Sequence, residues 1–248
     1  MMKDVFGRSL ADLRVSVTDR CNFRCVYCMP EEIYGERYQF LPKPELLTYE
    51  EIERLVRLFV SLGANKVRIT GGEPLLRSQL DVLIAKLAGI DGLEDLTLTT
   101  NGYALQKQAL SLKKAGLQRV TVSLDALDDA VLEKINGRKI GSRRILDGIK
   151  AANEVGLHPI KVNVVLQRGI NDHAILDIIK YFRGTGNIVR FIEYMDVGTR
   201  NQWELSQVVD AAEIVRIINE QFPIEPIAKS YLGEVADRYR FLDGKGEV

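Results

Sequence analysis

The chain has 248 residues, 46% of them apolar and 27% charged, with a mean hydropathy of −0.06. That is enough apolar material for a sizeable core and excludes a disordered or fibrous chain; no run nears the roughly 18–20 apolar residues of a membrane helix, and the opening residues Met1 to Arg8 lack the apolar stretch of a signal peptide. Thirty-four basic residues balance thirty-four acidic ones, which excludes a nucleic-acid binder that relies on a strong basic field but leaves room for a pocket with a few local cations and a small anionic substrate.

In chain order, a first β-branched run at 13–19 leads straight into the cysteines. The stretch 30–47 contains Pro42-Lys43-Pro44, too stiff for a helix, and reads as the longest irregular region. Thr48-Tyr49-Glu50-Glu51 is a capping box. It opens a helix with Ile52, Leu55, Val56, Phe59 and Val60 on one face, stopped near Gly63. Strands expected at 66–70, 96–100, 119–124, 160–167 and 188–195 then alternate with helices expected at about 78–88, 104–115, 128–135, 143–155, 173–183 and 210–221. Spacings of roughly 23–53 residues imply right-handed βαβ units and a parallel sheet. The fold class is α/β, and six units fit a partial (β/α)6 TIM-type barrel better than the closed eight-stranded one. An open doubly wound sheet is the rival. The barrel is expected over 1–228, and 229–248 as the start of a C-terminal segment. Parallel-sheet enzymes place their chemistry after the carboxyl ends of the strands, here at 20–30, 71–74, 101–102, 125–126, 168–171 and 196–198.

All three cysteines lie within eight residues, in Cys21-Asn22-Phe23-Arg24-Cys25-Val26-Tyr27-Cys28. An odd, crowded set is a poor disulfide framework. It fits reduced thiols, with the cytoplasm as the default compartment. Thiolates are soft ligands for zinc, copper(I) or iron–sulfur clusters. A structural zinc site takes four closed ligands, and the two histidines, His158 and His173, are remote in sequence. Three thiolates on one loop suit a 4Fe–4S cube with one open iron, free to bind the amino and carboxylate groups of a small molecule. A catalytic zinc with bound water and three incidental cysteines are the alternatives.

Cys-x-x-x-Cys-x-x-Cys after the first strand, followed by Gly71-Gly72-Glu73-Pro74 after the second, resembles the radical S-adenosylmethionine superfamily. The resemblance narrows to its GTP-cyclising branch in molybdenum-cofactor biosynthesis. It is carried by Leu13-Arg14-Val15-Ser16-Val17-Thr18-Asp19-Arg20, Val67-Arg68-Ile69-Thr70, Leu98-Thr99-Thr100-Asn101-Gly102 and Val122-Ser123-Leu124-Asp125-Ala126. Lys161-Val162-Asn163-Val164-Val165 and Arg190-Phe191-Ile192-Glu193-Tyr194-Met195-Asp196-Val197-Gly198 complete it, and the match runs from about residue 8 to the end.

The resemblance implies a lyase that converts GTP to 3′,8-cyclo-7,8-dihydro-GTP. It implies a 4Fe–4S cluster held by Cys21, Cys25 and Cys28, and S-adenosylmethionine contacts at Tyr27, Gly72, Ser123 and Met195. It further implies GTP contacts at Arg14, Arg68, Thr99 and Lys161, with Lys66 and Arg190 as additional candidates. No side chain is expected as a catalytic acid or base, because the cofactors carry the chemistry. The bland readings are a turn glycine, a strand-end serine, a core methionine, and strand arginines paired with carboxylates. A cation turned inward needs an anion such as triphosphate. There is no Gly-x-x-x-x-Gly-Lys-Ser/Thr loop, so GTP would be a reactant held by side chains.

The implied partners are GTP, an electron donor such as flavodoxin or ferredoxin, an enzyme that processes the cyclised nucleotide, and a second copy in a homodimer; nucleic acid and membrane are not among them. The family carries a second cysteine triplet in a C-terminal segment, for a second 4Fe–4S cluster. With no cysteine after Cys28, the chain is expected to be a truncated form, able to cleave S-adenosylmethionine alone, or a one-cluster form. A radical enzyme acting on a peptide or another small molecule, and a non-enzymatic iron–sulfur or zinc module, are the competing functions.

Overall fold

Strands and helices alternate through the computed structural model of the chain, which describes residues 3–197, 202–229 and 234–248. β1 (Asp12–Ser16) is followed by α1 (Glu31–Tyr34), α2 (Tyr49–Ser61), β2 (Lys66–Thr70), α3 (Leu80–Ala88), β3 (Asp95–Thr100), α4 (Leu105–Lys114) and β4 (Arg119–Ser123). Then come α5 (Asp129–Asn136), α6 (Ser142–Glu154), β5 (Lys161–Leu166), α7 (Ile175–Phe182), β6 (Ile188–Glu193), α8 (Ala211–Gln221), β7 (Ile224–Ile227) and β8 (Arg238–Phe241). The first six strands belong to one sheet in chain order, the arrangement of a partial TIM-type α/β barrel. Two compact units make up the chain. One comprises Met1–Asn22, Tyr38–Val122 and Arg144–His158; the other comprises Phe23–Arg37, Ser123–Arg143 and Pro159–Val248.

In the first unit, period-two alternation sorts the strand residues into two faces. Val67, Ile69, Leu96, Leu98, Val120 and Val122 are buried, as are Val56 of α2, Leu83, Ile84 and Leu87 of α3, and Leu112 of α4. The opposite face carries Arg14, Lys66, Arg68, Thr97, Thr99 and Thr121. Parallel register sets Arg14 beside Arg68, Arg68 beside Thr97, and Thr99 beside Thr121. A one-residue slip would exchange the faces. Each buried aliphatic side chain contributes roughly 1.5–3 kcal/mol, so the apolar layer fixes the register and the polar face follows from it. The capping box forms as expected: the Thr48 hydroxyl accepts the Glu51 amide and the Glu51 carboxylate accepts the Thr48 amide.

In the second unit, β5 pairs with β6 so that Asn163 lies beside Arg190 and Lys161 beside Ile188, while Val162, Val164, Leu166 and Val189 are buried. The last turn of α5 meets the cysteine loop. Its carbonyls at Asn136 and Ile135 accept the amides of Arg24 (2.7 Å) and Val26 (3.0 Å), on either side of Cys25. Gly137 ends the helix at φ 63°, and a Cβ there would lie 2.6 Å from the Arg24 carbonyl oxygen. The antiparallel pair β7–β8 straddles residue 229. Close by, the Arg183 guanidinium stacks on Phe222 and pairs with Asp243.

Some expected bounds are corrected. β1 stops at Ser16 and β6 at Glu193, earlier than the β-branched runs suggested. The stretch 30–47 is not wholly irregular: α1 follows Pro30, and a 3-10 turn at Lys43–Glu45 holds Pro44 in its first turn, where a missing N–H costs nothing. Gly198, which closes the last motif, and residues 230–233 of the expected C-terminal segment lie outside the described residues.

Candidate active site

In the first unit the loops after β1, β2 and β3 interlock. Gly71 and Gly72 pass so close to the chain leaving β1 that a Cβ on Gly71 would lie 2.6 Å from the Thr18 carbonyl oxygen, and one on Gly72 would overlap the Arg20 carbonyl. Only glycine leaves room for that approach. Glu73 is 1% exposed. Its carboxylate accepts the Leu75 amide (3.0 Å), the Thr100 hydroxyl (2.7 Å) and the Asn101 amide (2.7 Å). Burial raises its pKa, and those three donors pull it partly back. The Asn101 side chain then donates to Asn22 Oδ1 (2.9 Å) and lies 3.9 Å from Cys21 Sγ. On the polar strand face, Arg68 Nη1 donates to Thr99 and Thr121 at 3.3 and 3.4 Å. Arg14 is exposed beside it. Lys66 sits at the opposite end of β2 from Gly71 and pairs with Asp12 at 2.9 Å. Thr97 Oγ1 is buried on this face with no hydrogen-bond partner among the described residues.

In the second unit, Cys25 begins a turn closed by the amides of Cys28 (3.0 Å) and Met29 (2.8 Å) on its carbonyl. Desolvation pushes the Cys28 thiol above its ordinary value. The Tyr27 hydroxyl donates to Asp125 Oδ2 at 2.8 Å. Burial, then the charge of Asp125, holds Tyr27 well above its ordinary pKa. Burial pushes Asp125 up to about 6, offset in part by the Val165 amide and the Tyr27 hydroxyl. Ser123 ends β4. Lys161, Asn163 and Arg190 share one strand face, and Asn163 Oδ1 is buried without a partner among the described residues. Met195, beyond β6, is 55% exposed and so is not a core methionine.

The donor chemistry suits a thiolate-bound iron–sulfur cluster, because three cysteines that form no disulfide lie within eight residues of sequence. The glycine passage is filled by the backbone of the chain leaving β1, which by itself requires both glycines. In the first unit the buried, unsatisfied Thr97 Oγ1 suits a polar ligand over that strand face, and in the second unit the buried, unsatisfied Asn163 Oδ1 suits one over its own. Among the described residues, no group of three or more His, Cys, Asp or Glu side chains is set to hold a metal ion. None of the described helices is long and apolar enough to cross a membrane. Glu73, Asn101, Asp125 and Asn171 fall in the expected motif and strand-end loops, but none of them is among the expected contact residues. Their signal was position: each is a polar residue just beyond a strand's carboxyl end.

Residues 15–182 match the family model described as the Radical SAM superfamily, and 187–248 match Molybdenum Cofactor Synthesis C. Over 242 residues the chain is 52% identical to the GTP 3′,8-cyclases of Staphylococcus aureus strains JH9 and Newman, covering 98% of this chain and 71% of theirs. Among solved structures it is similar to methylornithine synthase, with TM-score 0.65 and 15% identity over 87% of this chain and 63% of that one. It is also similar to HydG, a maturase of the FeFe-hydrogenase, with TM-score 0.62 and 15% identity over 84% of this chain and 49% of that one. At those identities the likeness shows the fold alone.

Proposed function

Because the chain belongs to the GTP 3′,8-cyclase family of radical S-adenosylmethionine enzymes, we propose that it converts GTP to 3′,8-cyclo-7,8-dihydro-GTP, an early step of molybdenum-cofactor biosynthesis. Membership implies a 4Fe–4S cluster and S-adenosylmethionine; when bound, these supply a carbon-centred radical that can take a hydrogen atom from an unactivated C–H bond.

The chain's own residues have the tasks of holding, orienting and excluding water. Cys21, Cys25 and Cys28 would hold the cluster through three thiolates. Gly72 would let backbone meet the methionine end of S-adenosylmethionine, with Tyr27, Ser123 and Met195 as further contacts. Arg14, Arg68, Lys161 and Arg190 would neutralise the triphosphate, and Thr99 would hydrogen-bond the nucleotide. Arg190 and Lys66 are the additional candidates of the set, and Lys66 already faces Asp12 at the far end of β2. Flavodoxin or ferredoxin would deliver the electron, and a further enzyme would take the product.

The observation that carries this reading is the cationic and threonine-rich strand face of the first unit, with Gly71 and Gly72 packed against the chain that leads to Cys21. Its test is anaerobic reconstitution with iron and sulfide, then product analysis with GTP and S-adenosylmethionine. The expected result is about four irons per chain, 5′-deoxyadenosine and the cyclised nucleotide. Bound zinc without sulfide, and no 5′-deoxyadenosine, would defeat it.

A further inference from the structure

We propose that Asp125 is a positioning residue for S-adenosylmethionine, acting by holding Tyr27 of the cysteine loop against the end of β5. The inference rests on the reading above, in which the cysteine loop carries an S-adenosylmethionine contact at Tyr27.

Both carboxylate oxygens of Asp125 are committed. Oδ2 accepts the Tyr27 hydroxyl and Oδ1 accepts the Val165 amide, each at 2.8 Å. The side chain is thereby fixed from two directions, and the residue is 4% exposed. Its backbone is fixed as well. Asn171, fully buried, donates through Nδ2 to the carbonyls of Asp125 (2.8 Å) and Val165 (2.9 Å), while its Oδ1 accepts the Gln167 amide (2.8 Å). The strand ends are thus braced to each other before Tyr27 is considered.

Tyr27 is the member of this network that comes from elsewhere, 98 residues away in sequence. It lies between Cys25 and Cys28 in the loop. A buried carboxylate is a costly way to fill space, and an apolar side chain of similar volume would serve packing alone at least as well. Its raised pKa, about 6, reflects that cost. What the acid provides is direction: an acceptor that sets where the Tyr27 ring lies, and with it the backbone between the two cysteines.

The test uses the anaerobically reconstituted chain and measures S-adenosylmethionine affinity alongside thermal unfolding. Asp125→Ala leaves the Tyr27 hydroxyl without its acceptor and should weaken S-adenosylmethionine binding about tenfold, the lower range for a hydrogen bond to a charged group. Tyr27→Phe should weaken it similarly. The double variant should be no worse than either single one, because both cut the same link. Asp125→Asn should bind nearly as wild type, since its oxygen still accepts the Val165 amide and its N–H can donate to the Tyr27 oxygen.

Asp125→Asn binding as poorly as Asp125→Ala would overturn positioning in favour of a role for the charge. A lower melting temperature with unchanged affinity would reduce Asp125 to a structural residue. Should Asp125→Ala fail to fold, Asp125→Leu, which keeps a similar volume without an acceptor, takes its place: weakened binding at an unchanged melting temperature supports positioning, and wild-type affinity overturns it. A wild-type chain that binds no S-adenosylmethionine refutes the underlying reading, whereas normal wild-type binding with unaltered variants refutes this inference only.

Discussion

Arg68 stands between Val67 and Ile69, both fully buried, yet its guanidinium reaches the threonines of the other strand face. Its hydrogen bonds there, at 3.3 and 3.4 Å, are at the long limit for such contacts. A guanidinium fork also matches phosphate oxygens, through paired charge-assisted hydrogen bonds. Arg68→Ala should therefore weaken GTP binding by roughly ten- to a hundred-fold and leave S-adenosylmethionine binding nearly unchanged. Isothermal titration with each ligand separates the two. Equal losses would identify Arg68 as a structural residue.

At the level of elements, the junction between α5 and the cysteine loop has a sharp dependence on one glycine. Gly137 adopts a left-handed conformation and abuts the Arg24 carbonyl. Gly137→Ala should cost roughly 1–2 kcal/mol for the conformation alone, read by denaturant unfolding, and should loosen the loop so that chelators strip iron faster than from wild type. Unchanged stability and iron retention would show that the junction is not what holds the loop. The capping box of α2 and the six parallel strands were legible in the sequence because their signals are local: a Thr and Glu three residues apart, and alternating aliphatic side chains. α1 is a single turn without a side-chain cap. β7 includes Pro226 and finds its partner across residues 228–237. Neither leaves a periodic trace. The same distinction governs the site. Cysteine spacing and Gly71-Gly72-Glu73-Pro74 can be read directly, whereas the link between Tyr27 and Asp125 exists only once the chain has folded.

For the molecule as a whole, buried acids set a pH dependence of stability. Asp125 has a folded pKa of about 6 against an ordinary 3.8, so the native state binds its proton more tightly than the unfolded state does. The resulting stabilisation is fully present below about 3.8 and is lost as pH rises through about 6, amounting to at most about 3 kcal/mol. Glu73 is shifted in the same direction by burial. Unfolding free energies of wild type and Asp125→Asn, measured between these limits, should diverge as pH rises, with wild type losing ground. Parallel curves would mean that Asp125 titrates as an ordinary carboxylate.

The backbone pairing of Arg24 and Val26 with the end of α5 also bears on the order of assembly. In many small thiolate-rich domains the metal is the folding nucleus, and its apparent affinity includes the free energy of ordering the chain. Here the protein's own amides and carbonyls already define the path of the chain around Cys25. Much of the order around Cys25 is thus supplied by the backbone itself and not by ligation of its thiol.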